Sequence, residues 1–150
     1  MSRVWSFERD LMVRFSHCDP AGIIFFPQYL VMFVDLVEDW FTNALGVSYA
    51  EMISQSRVGI PTVKLDCTFT APSAMGDRIT LGLTIKRIGG KSFTLSLGCR
   101  SGDQLRVQIE QVMVTTSLNT HKAIEIPAHI RSAMLAFQQL PVTEPEGDIE

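Results

Sequence analysis

Residues 17–46 read HCDPAGIIFFPQYLVMFVDLVEDWFTNALG, and two patterns meet inside that stretch. Its first part holds Pro20, Gly22 and Pro27, residues that discourage regular structure and mark a loop. From Pro27 to about Leu45 the apolar residues recur at helical steps. Tyr29, Phe33, Leu36 and Trp40 make one row, and Leu30, Val34, Val37, Phe41 and Leu45 make a second. Asp35, Glu38, Asp39, Thr42 and Asn43 are left as a polar strip, and Gly46 supplies the helix end. A helix about 27 Å long with so broad an apolar face must be covered over most of its circumference.

Outward from this helix the period changes. Upstream, Leu11 to Phe15 alternates and predicts a short strand; downstream, Tyr49 to Gly59 reads as a small irregular or helical stretch. Four β-like runs follow, Thr62 to Ala71, Arg78 to Ile88, Ser92 to Arg100 and Leu105 to Ser117. Turn signals separate them at Pro72 to Asp77, Gly89-Gly90 and Ser101-Gly102-Asp103, which predicts three hairpins and an antiparallel meander. Ile126 to Gln139 predicts a terminal helix begun after Pro127. A five-stranded antiparallel sheet curled around one long helix would bury both, an α+β architecture. Residues 1–140 read as one domain, and the acidic, proline-containing residues 141–150 as a disordered tail.

The composition narrows the partners. The 150 residues are 46% hydrophobic with a net charge of −3, so neither nucleic acid nor an anionic membrane is an expected partner. Cys18, Cys67 and Cys99 are odd in number and widely spaced, which fits a reducing compartment. The opening MSRVWSFERDLMVRF interrupts its apolar residues with charge, unlike an export signal. The most apolar run, Tyr29 to Val34, meets Asp35, Glu38 and Asp39 long before the ~20 residues a membrane span needs. A cytoplasmic protein is therefore expected. No metal-ligand spacing appears among His17, His121 and His129.

The run HCDPAGIIFFPQYL closely resembles the D-x-x-G-x-x-x-x-P/H-x-Y signature of the 4-hydroxybenzoyl-CoA thioesterase family. The order of elements, strand, signature loop, long helix and four-strand meander, resembles that family's over roughly residues 8 to 130. The resemblance implies a hot-dog fold and an acyl-CoA thioesterase, with Asp19 as the catalytic carboxylate. An anionic oxygen can attack a thioester carbonyl or deprotonate the water that does, and the sequence leaves both routes open. The plain alternative for Asp19 is a turn residue before Pro20. By similarity, the Phe26 backbone N–H donates to the developing oxyanion at a helix start, where Pro27 has no N–H to offer. Gly22 answers either to an unusual φ or to close substrate approach.

For the acyl group, the resemblance puts Val34 and Ile60 where 4-hydroxybenzoyl enzymes carry polar groups, so a more apolar acyl chain, small or medium and aromatic or aliphatic, is expected. Tyr29 and Thr62 join them as candidate substrate contacts, though Tyr29, Phe33 and Trp40 also read as core. Lys91, with Ser92 beside it, matches the family's basic residue for the phosphates of coenzyme A, with Lys86 and Arg87 as helpers. The coenzyme is part of the substrate, and no separate cofactor is expected. A homodimer with the pocket at the interface, often paired again into a homotetramer, is implied, and the apolar Leu105 to Val114 region is the expected pairing strand. A His17–Cys18 nucleophile is disfavoured, because neighbours in extended chain project oppositely. The readings set against hydrolysis of acyl-CoA are hydrolysis of acyl-carrier-protein thioesters, a hydratase or dehydratase, and a non-catalytic acyl-CoA binder.

Overall fold

The computed structural model describes residues 5–140, so the tail expected over 141–150 lies outside the described residues. Its elements run β1 (Phe7–Met12), α1 (Phe26–Trp40), α2 (Tyr49–Ser54), β2 (Val58–Gly59), β3 (Thr62–Phe69), β4 (Arg78–Ile88), β5 (Ser92–Ser101), β6 (Gln104–Val114), β7 (Thr116–Ser117) and α3 (Ala128–Gln138). The five long strands form one antiparallel sheet curled against α1, the expected hot-dog architecture. Alternation puts Leu81, Leu83, Leu95, Leu97, Val107 and Ile109 on the inner face, where they pack with Phe33, Leu36 and Trp40. The α1 helix continues through a π-turn at Phe41–Leu45 and stops where Gly46 takes φ 68°. Trp40 is fully buried, its ring 5.6 Å from that of Phe137, so α3 closes the end of the core.

Several local expectations change. The first strand lies upstream of the predicted Leu11 to Phe15, because Phe7 to Met12 pairs with β4 and Phe15–His17 turns as a 3₁₀ helix. The meander holds for β4, β5 and β6 alone. The sheet order is β1-β4-β5-β6-β3, so Pro72 to Asp77 is a crossover, not a hairpin. β3 pairs with β6, and β4 with β1. Consequently Leu105 to Val114 lies within an interior strand, and the free edges are β3 and β1. Nor is α1 covered all round: Val31 and Val34 are exposed, and Val34 shares a groove with the exposed Leu65 of β3.

The outer face of the sheet carries its own packing device. Trp5 lies flat over Gly82 and Gly98; a Cβ at Gly82 would sit 2.5 Å from the indole, and one at Gly98 nearer still. Arg100 stands over the same ring, 5.7 Å from its centroid. Because neither the pleated strand nor the buried indole can give, Gly98→Ala is expected to cost about 2–3 kcal/mol through overpacking. A thermal melt should show the midpoint falling by several degrees; an unchanged midpoint would mean that Trp5 moves freely.

Candidate active site

The Asp19 loop is folded by its own backbone. Asp19 N–H donates to Ile23 O at 3.0 Å, Gly22 N–H donates to Asp19 O at 2.9 Å, and Ala21 N–H donates to Asp19 Oδ1 at 2.8 Å. This is an Asx turn, so the turn-forming role of Asp19 is real; it occupies one carboxylate oxygen and leaves Oδ2 without a partner among the described residues. Gly22 has φ +79°, a left-handed backbone that glycine adopts freely, and a Cβ there would touch no described protein atom. The carboxylate lines an open cavity of about 300 Å³ with His17, Cys18, Phe25 and Gln28.

His17 and Cys18 form no nucleophilic pair. His17 Nδ1 accepts from the Arg14 N–H at 2.9 Å, and Cys18 Sγ donates to Arg14 O at 3.4 Å, so both side chains fold back on the same residue. Cys99 is equally unsuited to nucleophilic work, since burial pushes its thiol up to about 12.

The start of α1 stands against this loop. Phe25 N–H donates to His17 O at 3.0 Å, and Gln28 N–H donates to Phe25 O at 2.8 Å. Pro27 has no N–H, and the Phe26 N–H meets no acceptor among the described residues. One free backbone donor is thus presented at the positive end of a 15-residue helix.

Val34, Ile60 and Thr62 are brought together elsewhere, in a largely apolar groove of about 340 Å³. Leu30 and Phe33 of α1, Tyr49, Leu65 of β3 and Met113 of β6 complete much of its wall. Gln111 Nε2 donates to Thr62 Oγ1 at 2.6 Å, making the groove's polar point. Within one chain, therefore, the carboxylate cavity and this groove have no lining residue in common among the described residues. Tyr29 lines neither. It is 3% exposed, its hydroxyl donates to Ser73 Oγ at 2.7 Å, and burial raises its pKa. Lys91 and Ser92 sit at the β4–β5 turn, outside both cavities. Lys86 is paired with Glu110, whose carboxyl it holds below the usual range, so Lys86 is less free for a phosphate than expected.

Sequence reading missed Ser73, Asp77 and Arg106. Ala74 N–H and the Arg106 guanidinium, 3.0 Å away, hold the Asp77 carboxyl below the usual carboxylate range. A depressed folded-state pKa contributes stability that is complete above the unfolded value of about 3.9 and is lost as pH falls through the folded one. Melting midpoints of the wild type and Asp77→Asn should therefore differ most near neutrality and converge in strong acid. A constant gap at every pH would mean that the charge of Asp77 contributes nothing.

Comparison with known proteins bears on this arrangement. The sequence model of the thioesterase-like superfamily matches residues 13–134, most of the chain. The chain belongs to that superfamily. Among its relatives are the 1,4-dihydroxy-2-naphthoyl-CoA hydrolase of Synechocystis sp., 25% identical over 140 residues covering 93% of this chain and 91% of that one, and the 4-hydroxybenzoyl-CoA thioesterase of Pseudomonas sp., 28% identical over 124 residues covering 77% and 88%. A solved gentisyl-coenzyme A thioesterase superposes with a TM-score of 0.77 at 25% identity, covering 85% of this thioesterase-like chain and 98% of that one. Thioester hydrolysis, the expected enzyme class, is the class these relatives carry by name.

Proposed function

We propose that the protein hydrolyses an aromatic acyl-CoA to the free acid and coenzyme A. The single observation that carries this reading is the Phe26 N–H at the α1 start, which among the described residues meets no acceptor, beside a loop in which one Asp19 oxygen likewise has no described partner. The amide receives the carbonyl oxygen as it becomes an oxyanion, a contribution of roughly 3 kcal/mol for a well-placed donor. Asp19 either attacks the carbonyl carbon, releasing CoA thiolate and leaving an acyl-carboxyl anhydride for water to open, or takes the proton of an attacking water. The groove of Val34, Ile60 and Thr62 takes the acyl ring, with Gly22 shaping the loop and Lys91 and Ser92 at the mouth for the coenzyme. The aromatic substrates named for the relatives support a ring rather than an aliphatic chain.

The two cavities join when two chains pair through β3. In a two-fold antiparallel pair centred on that strand, each chain's Phe69 end lies opposite the other's Thr62 end. The Phe26 ring packs 6.0 Å from Phe69, whereas Thr62 lines the groove. Pairing therefore brings the carboxylate and amide of one copy toward the acyl groove of the other. A homodimer, or a homotetramer of such pairs, is the working unit.

The test is thiol release from a panel of acyl-CoAs, short aliphatic through benzoyl, hydroxybenzoyl, gentisyl and dihydroxynaphthoyl. Preference for aromatic members is expected. Turnover confined to aliphatic members would refute the ring-binding groove, and no turnover on any would refute hydrolysis of CoA esters.

A further inference from the structure

Arg106, on interior strand β6, grips the crossover from both sides. Its backbone carbonyl accepts Thr70 N–H at 2.9 Å, where β3 ends. Its guanidinium Nη1 reaches Pro72 O at 2.9 Å and Ser73 Oγ and Asp77 Oδ2 at 3.0 Å each. Asp77 Oδ2 in turn accepts Ala74 N–H at 2.9 Å. The side chain is only 11% exposed, and its Nε is buried with no acceptor among the described residues.

What the crossover holds in its turn is the reactive end of the molecule. Ser73 O accepts Ile24 N–H at 2.9 Å, Met75 N–H donates to Gly22 O at 3.0 Å, and Ile23 bridges Ala74. These contacts fasten the loop that carries Asp19. Ser73 Oγ, 1% exposed at the residue level, also accepts the Tyr29 hydroxyl from the first turns of α1. The carboxylate loop and the helix start that presents the Phe26 N–H are therefore both fastened to Ser73, which Arg106 holds directly, and the loop is fastened as well to Ala74, which Arg106 holds through Asp77.

We propose that Arg106 is a positioning residue for the hydrolysis, fixing the Asp19 carboxylate relative to the Phe26 N–H through Ser73. It touches neither cavity. A buried ion pair is on balance a weak source of stability; a planar guanidinium seated among three acceptors does supply a fixed geometry. The depressed pKa of Asp77 keeps this clamp charged through the range in which a carboxylate base works.

The inference rests on the thioesterase reading, and one set of measurements separates the two. Turnover on the best acyl-CoA is measured for wild type, Arg106→Lys, Arg106→Met and Tyr29→Phe, well below each melting midpoint and per folded site. Displacement of a reacting group by about 1 Å can cost ~100-fold, so Arg106→Met is expected to lose kcat on that order, with KM within about two-fold because the acyl groove is untouched. Arg106→Lys should recover part of the loss, since an ammonium replaces the charge but not the planar fork. Tyr29→Phe, which keeps the packing and removes one hydrogen bond, should lose several-fold in kcat. Wild-type kcat in Arg106→Lys and Tyr29→Phe, with only the melting midpoints lowered, would make Arg106 a stabiliser and overturn the proposal. An inactive wild type would sink the thioesterase reading and this inference with it.

Discussion

Asp19→Asn should lower kcat by about 10³-fold while the protein melts at nearly its normal temperature. The separation is expected because the asparagine side-chain oxygen can still accept the Ala21 N–H that closes the turn, and the positive φ belongs to Gly22, not to residue 19. The substitution therefore removes the anion and leaves the loop. Without the negative oxygen there is neither a carboxyl nucleophile nor a base for water, whereas the Phe26 N–H and the acyl groove persist, so KM should change little. Thiol release from a saturating acyl-CoA, read beside a thermal melt, decides the matter. Full activity in the variant would reduce Asp19 to its turn.

Val63→Asp should separate the subunits and take the activity with them. Val63 lies on the open β3 edge, 61% exposed, and does not line the groove, so a single chain loses little from the change. In a β3–β3 pair each copy would bury an unpaired carboxylate, a penalty of about 3–5 kcal/mol when uncompensated. That weakens the pair by at least ~100-fold. Light scattering at micromolar concentration should find the variant at the 16.7 kDa of one chain. Its turnover should fall in parallel, because Asp19 and the Thr62 groove share no cavity within one copy. A monomer that keeps full activity would refute the shared site. An unchanged oligomer would move the interface away from β3.

Features that depend on near neighbours were readable from the chain. The spacing of Tyr29, Phe33, Leu36 and Trp40 placed α1 correctly, because a 3.6-residue period is a local property of an amphipathic helix. Gly46 and Pro127 marked the end of one helix and the start of another for reasons of backbone conformation alone. The turn of the Asp19 loop was legible in the same way, since the hydrogen bonds that close it run between residues 19 and 23.

Strand order was not readable. Pro72 to Asp77 has the composition of a hairpin turn, and no local signal distinguishes a hairpin from a crossover when the two strands that it joins pair with β6 and β1 instead. Tyr29 shows the same limit at a single residue. Its spacing read as core and its place in the signature as a substrate contact, but neither reading named the partner of its hydroxyl, Ser73, 44 positions away.

The sequence by itself determined the long helix, the four main strands after it, the superfamily and the loop with its carboxylate, because each is written in contiguous residues. Only the tertiary structure decided that β3 is a free edge, that Asp19 and Thr62 line separate cavities, and that Arg106 holds the crossover beneath the helix start. Those facts are contacts between residues tens of positions apart, and such contacts exist only once the sheet has closed around the helix.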